Sequence, residues 1–217
     1  TASYASKFLL YTPQDAAPQE SGFKADGTKV YMLGTIGDKV YQYTLTTAWD
    51  VSTASYDSVS VSVVAQDTAP LGLVFSPDGA YMYITGTTGN KIYEYTLTTP
   101  WDLSTASYAS KTIDTGAQDT SPQESGVKSD GTAVFMVGTS TDDVFRYNLS
   151  TAWDLSTAAG DAVSFDVSAQ ETTPLALAFK DDGTKMYIAG QNDTVYQYTM
   201  GDDLVGLGWV LGPLTLS

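Results

Sequence analysis

The sequence predicts an all-β protein, a four-bladed β-propeller with four-stranded antiparallel blades. Three observations carry this prediction: one repeat occurs in four copies, short alternating strands lie inside each copy, and turn residues separate the strands. The Asp-Gly pairs begin at Asp26, Asp78, Asp130 and Asp182, always 52 residues apart. Prolines 18, 70, 122 and 174 and glycines 34, 86, 138 and 190 keep the same spacing. Unrelated residue types that share one period indicate a structural repeat.

The second copy illustrates how one repeat divides into four strands. Residues 71–75 are a short apolar run that ends at Asp78-Gly79, a pair that supplies the positive φ angles of a tight hairpin turn. Residues 81–85 and 91–97 alternate and are rich in strand-forming residues, with a Gly-Asn turn between them. A longer connection, residues 98–108, carries a Trp-Asp pair and leads to a less apolar outer strand.

The two ends of the chain predict how the propeller closes. Residues 1–4 repeat residues 53–56, so the chain begins partway through a repeat. We therefore expect residues 6–12 to be the outermost strand of the last blade, which leaves no unpaired seam. Two chains that pair into a larger ring remain an alternative. The predicted organisation is one propeller over residues 1–200, with repeats at about 27–78, 79–130, 131–182 and 183–200 plus 1–26, followed by an apolar tail at 201–217.

One stretch of the second copy resembles a known family. The string from Phe75 to Gly86, Phe-Ser-Pro-Asp-Gly-Ala-Tyr-Met-Tyr-Ile-Thr-Gly, with the following Lys91-Ile-Tyr-Glu-Tyr, resembles the repeats of YVTN-type (lactonase-like) β-propellers. The resemblance covers all four copies, but only about the first three strands of each. It implies the propeller fold and leaves function open, because such repeats serve enzymes, surface-layer proteins and adhesins alike. The Trp-Asp connection makes these repeats longer than the usual blade.

Composition excludes several classes of function. Ten lysines and arginines face 25 acidic residues, and the net charge of −15 argues against nucleic-acid and anionic-membrane partners. The chain has no cysteine, which removes disulfides and thiolate chemistry. It also has no histidine, the usual general base near neutral pH, which argues against triad hydrolases and most zinc or iron sites. No apolar run is long enough to predict membrane insertion.

Acidic residues are expected to gather at one mouth of the central channel. Propeller geometry places there a repeated set, Asp15, Asp67, Asp119 and Glu171, with Glu20 and Glu124 just inside. Glu20 and Glu124 occur only in the first and third copies, so they face each other across the ring. Carboxylate oxygens predict a hard-cation site, with calcium as the first candidate. Alternatively, the four repeated acids cap their own loops. A paired-carboxylate glycosidase site is a formal alternative.

The Trp-Asp pairs form a second candidate site. They are Trp49 with Asp50, Trp101 with Asp102, and Trp153 with Asp154. An exposed indole ring beside a carboxylate suits sugar binding, and three such sites would act multivalently. Alternatively, each tryptophan packs under its connection and each aspartate caps a turn.

These features predict a non-enzymatic extracellular, cell-surface or virion-surface module for recognition or assembly, with glycans as a candidate ligand. The expected partner is a glycan or a protein, no cofactor is required apart from optional calcium, and residues 201–217 are a candidate self-assembly segment. Two alternatives remain. One is a lactonase-like propeller hydrolase with a cation in the central channel, which the absence of histidine weakens. The other is a purely structural virion or surface-layer component.

Overall fold

The computed structural model describes residues 4–180 and 182–200, without the side chains of 160–162. These residues form four antiparallel sheets that make a four-bladed β-propeller, so the predicted fold class is confirmed. The predicted assembly tail, residues 201–217, lies outside the described residues. Within the part of the chain that the structure describes, no helix is long and apolar enough to cross a membrane.

The strands follow the repeat. Blade 1 contains β1 (Pro18–Phe23), β2 (Lys29–Gly34), β3 (Lys39–Leu45) and β4 (Ala54–Ser62). Blade 2 contains β5 (Pro70–Phe75), β6 (Tyr81–Gly86), β7 (Lys91–Leu97) and β8 (Ala106–Asp114). Blade 3 contains β9 (Pro122–Val127), β10 (Ala133–Gly138), β11 (Asp143–Leu149) and β12 (Ala158–Asp166). Blade 4 contains β13 (Pro174–Phe179), β14 (Lys185–Gly190) and β15 (Val195–Thr199). Short 3-10 turns at Val51–Thr53, Leu103–Thr105 and Leu155–Thr157 precede the outer strands of the first three blades.

The Asp-Gly hairpins form as the sequence predicts. In blade 2, Gly79 adopts φ +73°, a left-handed conformation that costs glycine little because it has no Cβ. The Asp78 carboxylate closes the turn by accepting the Ala80 N–H at 3.0 Å. The equivalent glycines of the other blades have nearly the same φ. The turn conformation therefore fixes the pairing register of β5 with β6, and the equivalent turns fix the register of the first two strands in the other blades.

Consecutive blades pack through apolar cores that repeat from one interface to the next. Between blades 1 and 2, Tyr31 and Leu33 of β2 pack with Phe75, Ile84 and their neighbours. The Tyr31 hydroxyl also donates to the Trp101 carbonyl oxygen at 2.6 Å. Equivalent apolar clusters lie between blades 2 and 3 and between blades 3 and 4.

The junction between blade 4 and blade 1 differs from the other three. The sheet of blade 4 has three strands, β13, β14 and β15, and the expected ladder between residues 6–12 and blade 4 is not formed. Instead, Leu9 and Tyr11 pack on the apolar face of blade 1, and Lys7 pairs with Asp50. Lys111 of β8 pairs with Asp154 in the same way at blade 3. Residues 4–12 therefore occupy the position of an outer strand that precedes blade 1.

The strand pairing in the other blades indicates which residue of blade 4 lies opposite each residue of this N-terminal segment. In blade 1, Tyr41 of β3 lies opposite Ser60 of β4, and the equivalent positions at the junction are Tyr196 and Phe8. Because the chain has no native cysteine, we expect the double variant Phe8→Cys, Tyr196→Cys to form a disulfide within one chain under mild oxidation. The readout is non-reducing electrophoresis with mass spectrometry.

The control for this variant is Lys7→Cys with Tyr196→Cys, which is one residue out of register and should cross-link poorly. A disulfide found only in dimers would mean that a second copy supplies the strand. If neither pair cross-links, the register assigned to residues 4–12 is wrong.

Candidate functional site

A pair of glutamates lies at the centre of the propeller. Glu20 is the third residue of β1, and Glu124 is the third residue of β9. The equivalent positions of blades 2 and 4 are the small residues Gly72 and Ala176, as the pairing with β6 and β14 shows. The alternation between glutamate and a small residue leaves space for two long side chains rather than four.

Each glutamate reaches the backbone of the following blade. A carboxylate oxygen of Glu20 accepts the N–H of Leu73, the residue after Gly72. Glu124 accepts the N–H of Leu177, the residue after Ala176, at 2.7 Å. Both contacts cross a blade interface, so the fold fixes the position of each carboxyl group. The other oxygen of Glu20, Oε1, has no hydrogen-bond partner among the described protein atoms.

The two carboxyl groups meet in a site that is nearly closed to solvent. Glu20 is 3% exposed and Glu124 is 5% exposed. Burial raises the pKa of Glu20 well above its usual value, and the nearby charge of Glu124 raises it further. Burial also raises the pKa of Glu124 to about 7, although the hydrogen bond from the Leu177 N–H opposes the shift. Both shifts favour the protonated forms, so we expect the pair to retain a proton at a pH at which an exposed glutamate would be ionised.

Among the described residues, no lysine or arginine forms an ion pair with Glu20 or Glu124. Within the described chain, the buried polar and charged side chains include acids, hydroxyls and an amide but no lysine or arginine. Next to Glu124, the Ser125 hydroxyl accepts a hydrogen bond from Thr85 at 2.7 Å. We therefore expect a shared proton to limit the repulsion between the two carboxyl groups. Such an arrangement can accept one proton and donate another in the same reaction.

The pair predicts an unusual pH dependence of stability. Its pKa values are higher in the folded state than in the unfolded chain, so its contribution to stability is full below about pH 4.5 and is lost as pH rises through about 7. For Glu124 alone this loss is about 3 kcal/mol. We expect the free energy of unfolding to fall between pH 5 and pH 8, measured by urea unfolding across that range.

The double variant Glu20→Gln, Glu124→Gln supplies the control, because it keeps side-chain shape and removes both titrations. Its unfolding free energy should vary much less over the same range. Since the chain has no histidine, few other side chains ordinarily titrate there. A wild-type slope equal to that of the variant would contradict the shared-proton assignment.

The four repeated loop acids are engaged by their own blades. Asp67 accepts the N–H of Ala69 at 2.8 Å, of Thr88 at 3.2 Å and of Gly89 at 2.8 Å. Asp15, Asp119 and Glu171 accept the corresponding N–H groups of their own loops. Each carboxylate thus ties the loop before the inner strand to the turn between the second and third strands. This geometry agrees with the loop-capping alternative.

This arrangement does not support the predicted calcium site. Over residues 4–180 and 182–200, no three acidic side chains come together in a way that could hold a metal ion. The structure therefore does not gather the four loop acids and the central glutamates into one site. Only Glu20 and Glu124 of the predicted six are brought into contact with each other.

The Trp-Asp pairs are built into the connections of their blades. Asp102 accepts the Ser104 N–H at 2.9 Å and caps the 3-10 turn, and Asp50 and Asp154 do the same in blades 1 and 3. Trp101 is 9% exposed and covers Gly79, where an added Cβ would lie 2.3 Å from the indole ring. Trp49 occupies the equivalent position in blade 1 but is 61% exposed. The aspartates cap turns, and the tryptophan rings pack over the hairpin glycines.

The fold and the central pair define a class, a β-propeller with two buried glutamates at its centre. The chain belongs to the family described as lactonase, 7-bladed β-propeller, whose model matches residues 14–205. No curated protein matches the chain.

Solved structures support the fold. The chain is 16% identical to a putative 6-phosphogluconolactonase from Bacteroides uniformis, with a TM-score of 0.62, covering 95% of this chain and 58% of that one. It is 16% identical to the periplasmic gluconolactonase of Pseudomonas aeruginosa, with a TM-score of 0.61, covering 93% of this chain and 59% of that one. The chain thus spans less than two thirds of these proteins and has four blades in a family named for seven.

The family assignment corrects the predicted function. The prediction of a non-enzymatic recognition or assembly module is wrong, and so is the prediction that the protein is not an enzyme, because the matching family is one of lactonases. Glycan binding and a virion role gain no support. The absence of histidine does not by itself exclude hydrolysis, because burial can raise the pKa of a carboxyl group towards the range of a histidine, as it does for Glu124.

Proposed function

We propose that this propeller hydrolyses lactones and that Glu20 and Glu124 perform the proton transfers. The observation that carries the proposal is the buried carboxyl pair with a pKa near neutrality, in a chain of the lactonase family. A general acid or base works best when its pKa lies near the operating pH. The pair meets this requirement at neutral pH without a histidine.

The reaction needs one base and one acid, and, because both glutamates are nearly closed to solvent, the centre of the propeller must open to admit water and the lactone. The charge of Glu124 raises the pKa of Glu20 further, so we assign Glu124 as the base and Glu20 as the acid. It takes a proton from water as the water oxygen bonds to the lactone carbonyl carbon. The ring C–O bond then breaks, and protonated Glu20 gives its proton to the departing ring oxygen. The product is an open hydroxy acid, and return of one proton from Glu124 to Glu20 restores the pair.

Charge indicates which lactones are suitable. The net charge of −15 and the lack of buried cations near the pair disfavour a phosphorylated substrate. The related structures are named for 6-phosphogluconolactone and for gluconolactone. Of these two, we propose the neutral sugar-acid lactone. The periplasmic location in the name of the Pseudomonas aeruginosa protein fits the proposal that this chain works outside the cytoplasm.

A direct assay tests this function. Purified protein is mixed with δ-gluconolactone, with 6-phosphogluconolactone and with an alkyl lactone, and acid release is followed by pH-stat after subtraction of spontaneous hydrolysis. We expect catalysis with the neutral sugar lactone to exceed catalysis with the phosphorylated one. Rates that equal the spontaneous reaction for all three substrates would contradict the proposal.

A further inference from the structure

One residue in the turn between the second and third strands has a left-handed backbone in every blade. These residues are Asp38, Asn90, Asp142 and Asp193, with φ between 47° and 58°. In the first three blades, the carbonyl oxygen of this residue accepts an N–H at 2.8–3.0 Å from the loop that enters the next blade, from Val63, Thr115 and Val167. Three side chains therefore start from the same point of their blade interfaces, at the mouth where the inner strands begin.

Asn90 shows what surrounds this point. Its side-chain amide donates to the carbonyl oxygen of Thr87 in its own turn at 2.9 Å. It also donates to the carbonyl oxygen of Thr120, in the loop that enters blade 3, at 2.7 Å. The turn of blade 2 is thus hydrogen-bonded to the next blade. The repeat places the equivalent carbonyl oxygens at Thr35 and Thr68 for Asp38, and at Thr139 and Thr172 for Asp142.

Asp38 and Asp142 present a carboxyl group where blade 2 has an amide. Over residues 4–180 and 182–200, Oδ1 of each is buried and has no hydrogen-bond partner, and neither residue forms an ion pair. The rest of the sequence contains no lysine, arginine or histidine that could pair with them. An ionised carboxylate can only accept hydrogen bonds, whereas two carbonyl oxygens need a donor. A proton on the carboxyl group supplies that donor.

The charges around both aspartates favour the protonated form. Burial raises the pKa of Asp38 above its usual value, and the charges of Asp67 and Asp15 raise it further. Burial also has the largest effect on the pKa of Asp142, and the acids that raise it further are Asp119, Asp166, Asp143 and Glu171. The stability that the protonated forms contribute is therefore full below about pH 4 and is lost as pH rises through the raised pKa values.

The same two interfaces carry the central glutamates. Glu20 reaches the N–H of Leu73 between blades 1 and 2, and Glu124 reaches the N–H of Leu177 between blades 3 and 4. Between blades 2 and 3 the neutral Asn90 makes its contacts at any pH. Ionisation can therefore remove a contact at the mouth only at the two interfaces that a glutamate crosses.

We propose that Asp38 and Asp142 are proton-operated latches at the mouth of the propeller. With its proton, each carboxyl group donates to a carbonyl oxygen of the loop that enters the next blade and holds that interface closed. When the proton passes to water, the carboxylate repels the same oxygens, and the interface opens beside Glu20 or Glu124. The latches rest on the proposed hydrolysis only for their purpose, which is to admit water and the lactone.

The double variant Asp38→Asn, Asp142→Asn is expected to keep both latches closed, because an amide donates as Asn90 does. At pH 7 its melting temperature should exceed that of the wild type by about 2–4 °C per substitution, and the gain should be smaller at pH 4. Amide hydrogen exchange over residues 63–75, followed by mass spectrometry at pH 7, should slow about two- to tenfold.

Asp193→Asn is the matched control, because it removes the same charge from the equivalent turn, where the side chain is exposed. It should change neither quantity, and Asn90→Asp should lower the melting temperature at pH 7. An equal effect of Asp193→Asn, or no gain from the double variant, would overturn the latches. The second result is expected if residues 201–217 already supply a donor to Oδ1.

Activity tests the purpose of the latches separately. In the double variant, kcat/KM for δ-gluconolactone at pH 7 should fall by about the same factor as the exchange rate, since both follow the population of the open form. Slower exchange with unchanged kcat/KM would overturn the role in admitting substrate. A wild type without lactonase activity would contradict the proposed hydrolysis, while melting and exchange would still decide whether the latches exist.

Discussion

Replacing Glu124 with glutamine is expected to lower kcat for lactone hydrolysis by about 10²–10⁴-fold, the usual contribution of a positioned acid or base. The amide cannot take a proton from water, but it has nearly the same shape as the carboxyl group. Its oxygen can still accept the Leu177 N–H, which Glu124 accepts at 2.7 Å. Kinetics on δ-gluconolactone, corrected for spontaneous hydrolysis, measure the effect. Glu20→Gln should give a loss of similar size because the leaving oxygen loses its acid.

Glu94→Gln provides the matched control for both variants. Glu94 is also buried and also accepts a backbone N–H from another blade, and its counterpart in blade 1 is already a glutamine, Gln42. The activity of the Glu94→Gln variant should stay within about twofold of the wild type, because Glu94 takes no part in the proposed proton transfers. The Glu124→Gln variant loses a like-charge contact from the core. At pH 8 its melting temperature should therefore not fall below that of the wild type. A large activity loss in all three variants would mean that the glutamates act through structure alone.

The variant Trp101→Ala is expected to destabilise the protein by about 3–5 kcal/mol. The ring packs against Phe75 and Tyr31, with centroid separations of 5.3 Å and 6.1 Å, and is 9% exposed. Its removal opens a cavity between blades 1 and 2. Urea unfolding followed by tryptophan fluorescence and circular dichroism gives the change in the free energy of unfolding.

Trp49→Ala is the control, because both residues have the same left-handed backbone, with φ values of 64° and 65°. The backbone effect of the substitution is therefore shared, and the difference between the variants reports packing. With 61% of Trp49 exposed, its loss should cost about 1 kcal/mol or less. Equal costs at the two positions would contradict the packing described for the blade interfaces.

Most of the fold could be predicted because it depends on local, repeated chemistry. The Asp-Gly turns, the alternating strands and the count of four copies all lie in the sequence, and the turn at Gly79 forms as expected. The loop role of Asp67 and its equivalents was one of two predicted alternatives, since a carboxylate before a proline caps nearby backbone in many turns. Residues 6–12 lie at the predicted outer position, but the predicted hydrogen-bonded ladder with blade 4 is not formed, because pairing at the chain ends depends on long-range contacts rather than on a local motif.

The site could be predicted only in part. The sequence places Glu20 and Glu124 opposite each other, because they occur in the first and third copies. Their shared proton depends on burial and on the space left by Gly72 and Ala176, which follow only from three-dimensional packing. Trp49 and Trp101 lie in equivalent sequence contexts but differ in solvent exposure, because neighbouring residues cover Trp101 and leave Trp49 largely exposed.

The most direct test of the account is the pH dependence of kcat/KM for δ-gluconolactone, corrected for spontaneous hydrolysis. The account predicts a bell-shaped profile that rises as Glu124 ionises near pH 7 and falls at higher pH as Glu20 loses its proton. Glu124→Gln should remove the rising limb. A rate that increases steadily with hydroxide concentration, and is the same in the wild type and in the Glu20→Gln, Glu124→Gln variant, would contradict a catalytic carboxyl pair.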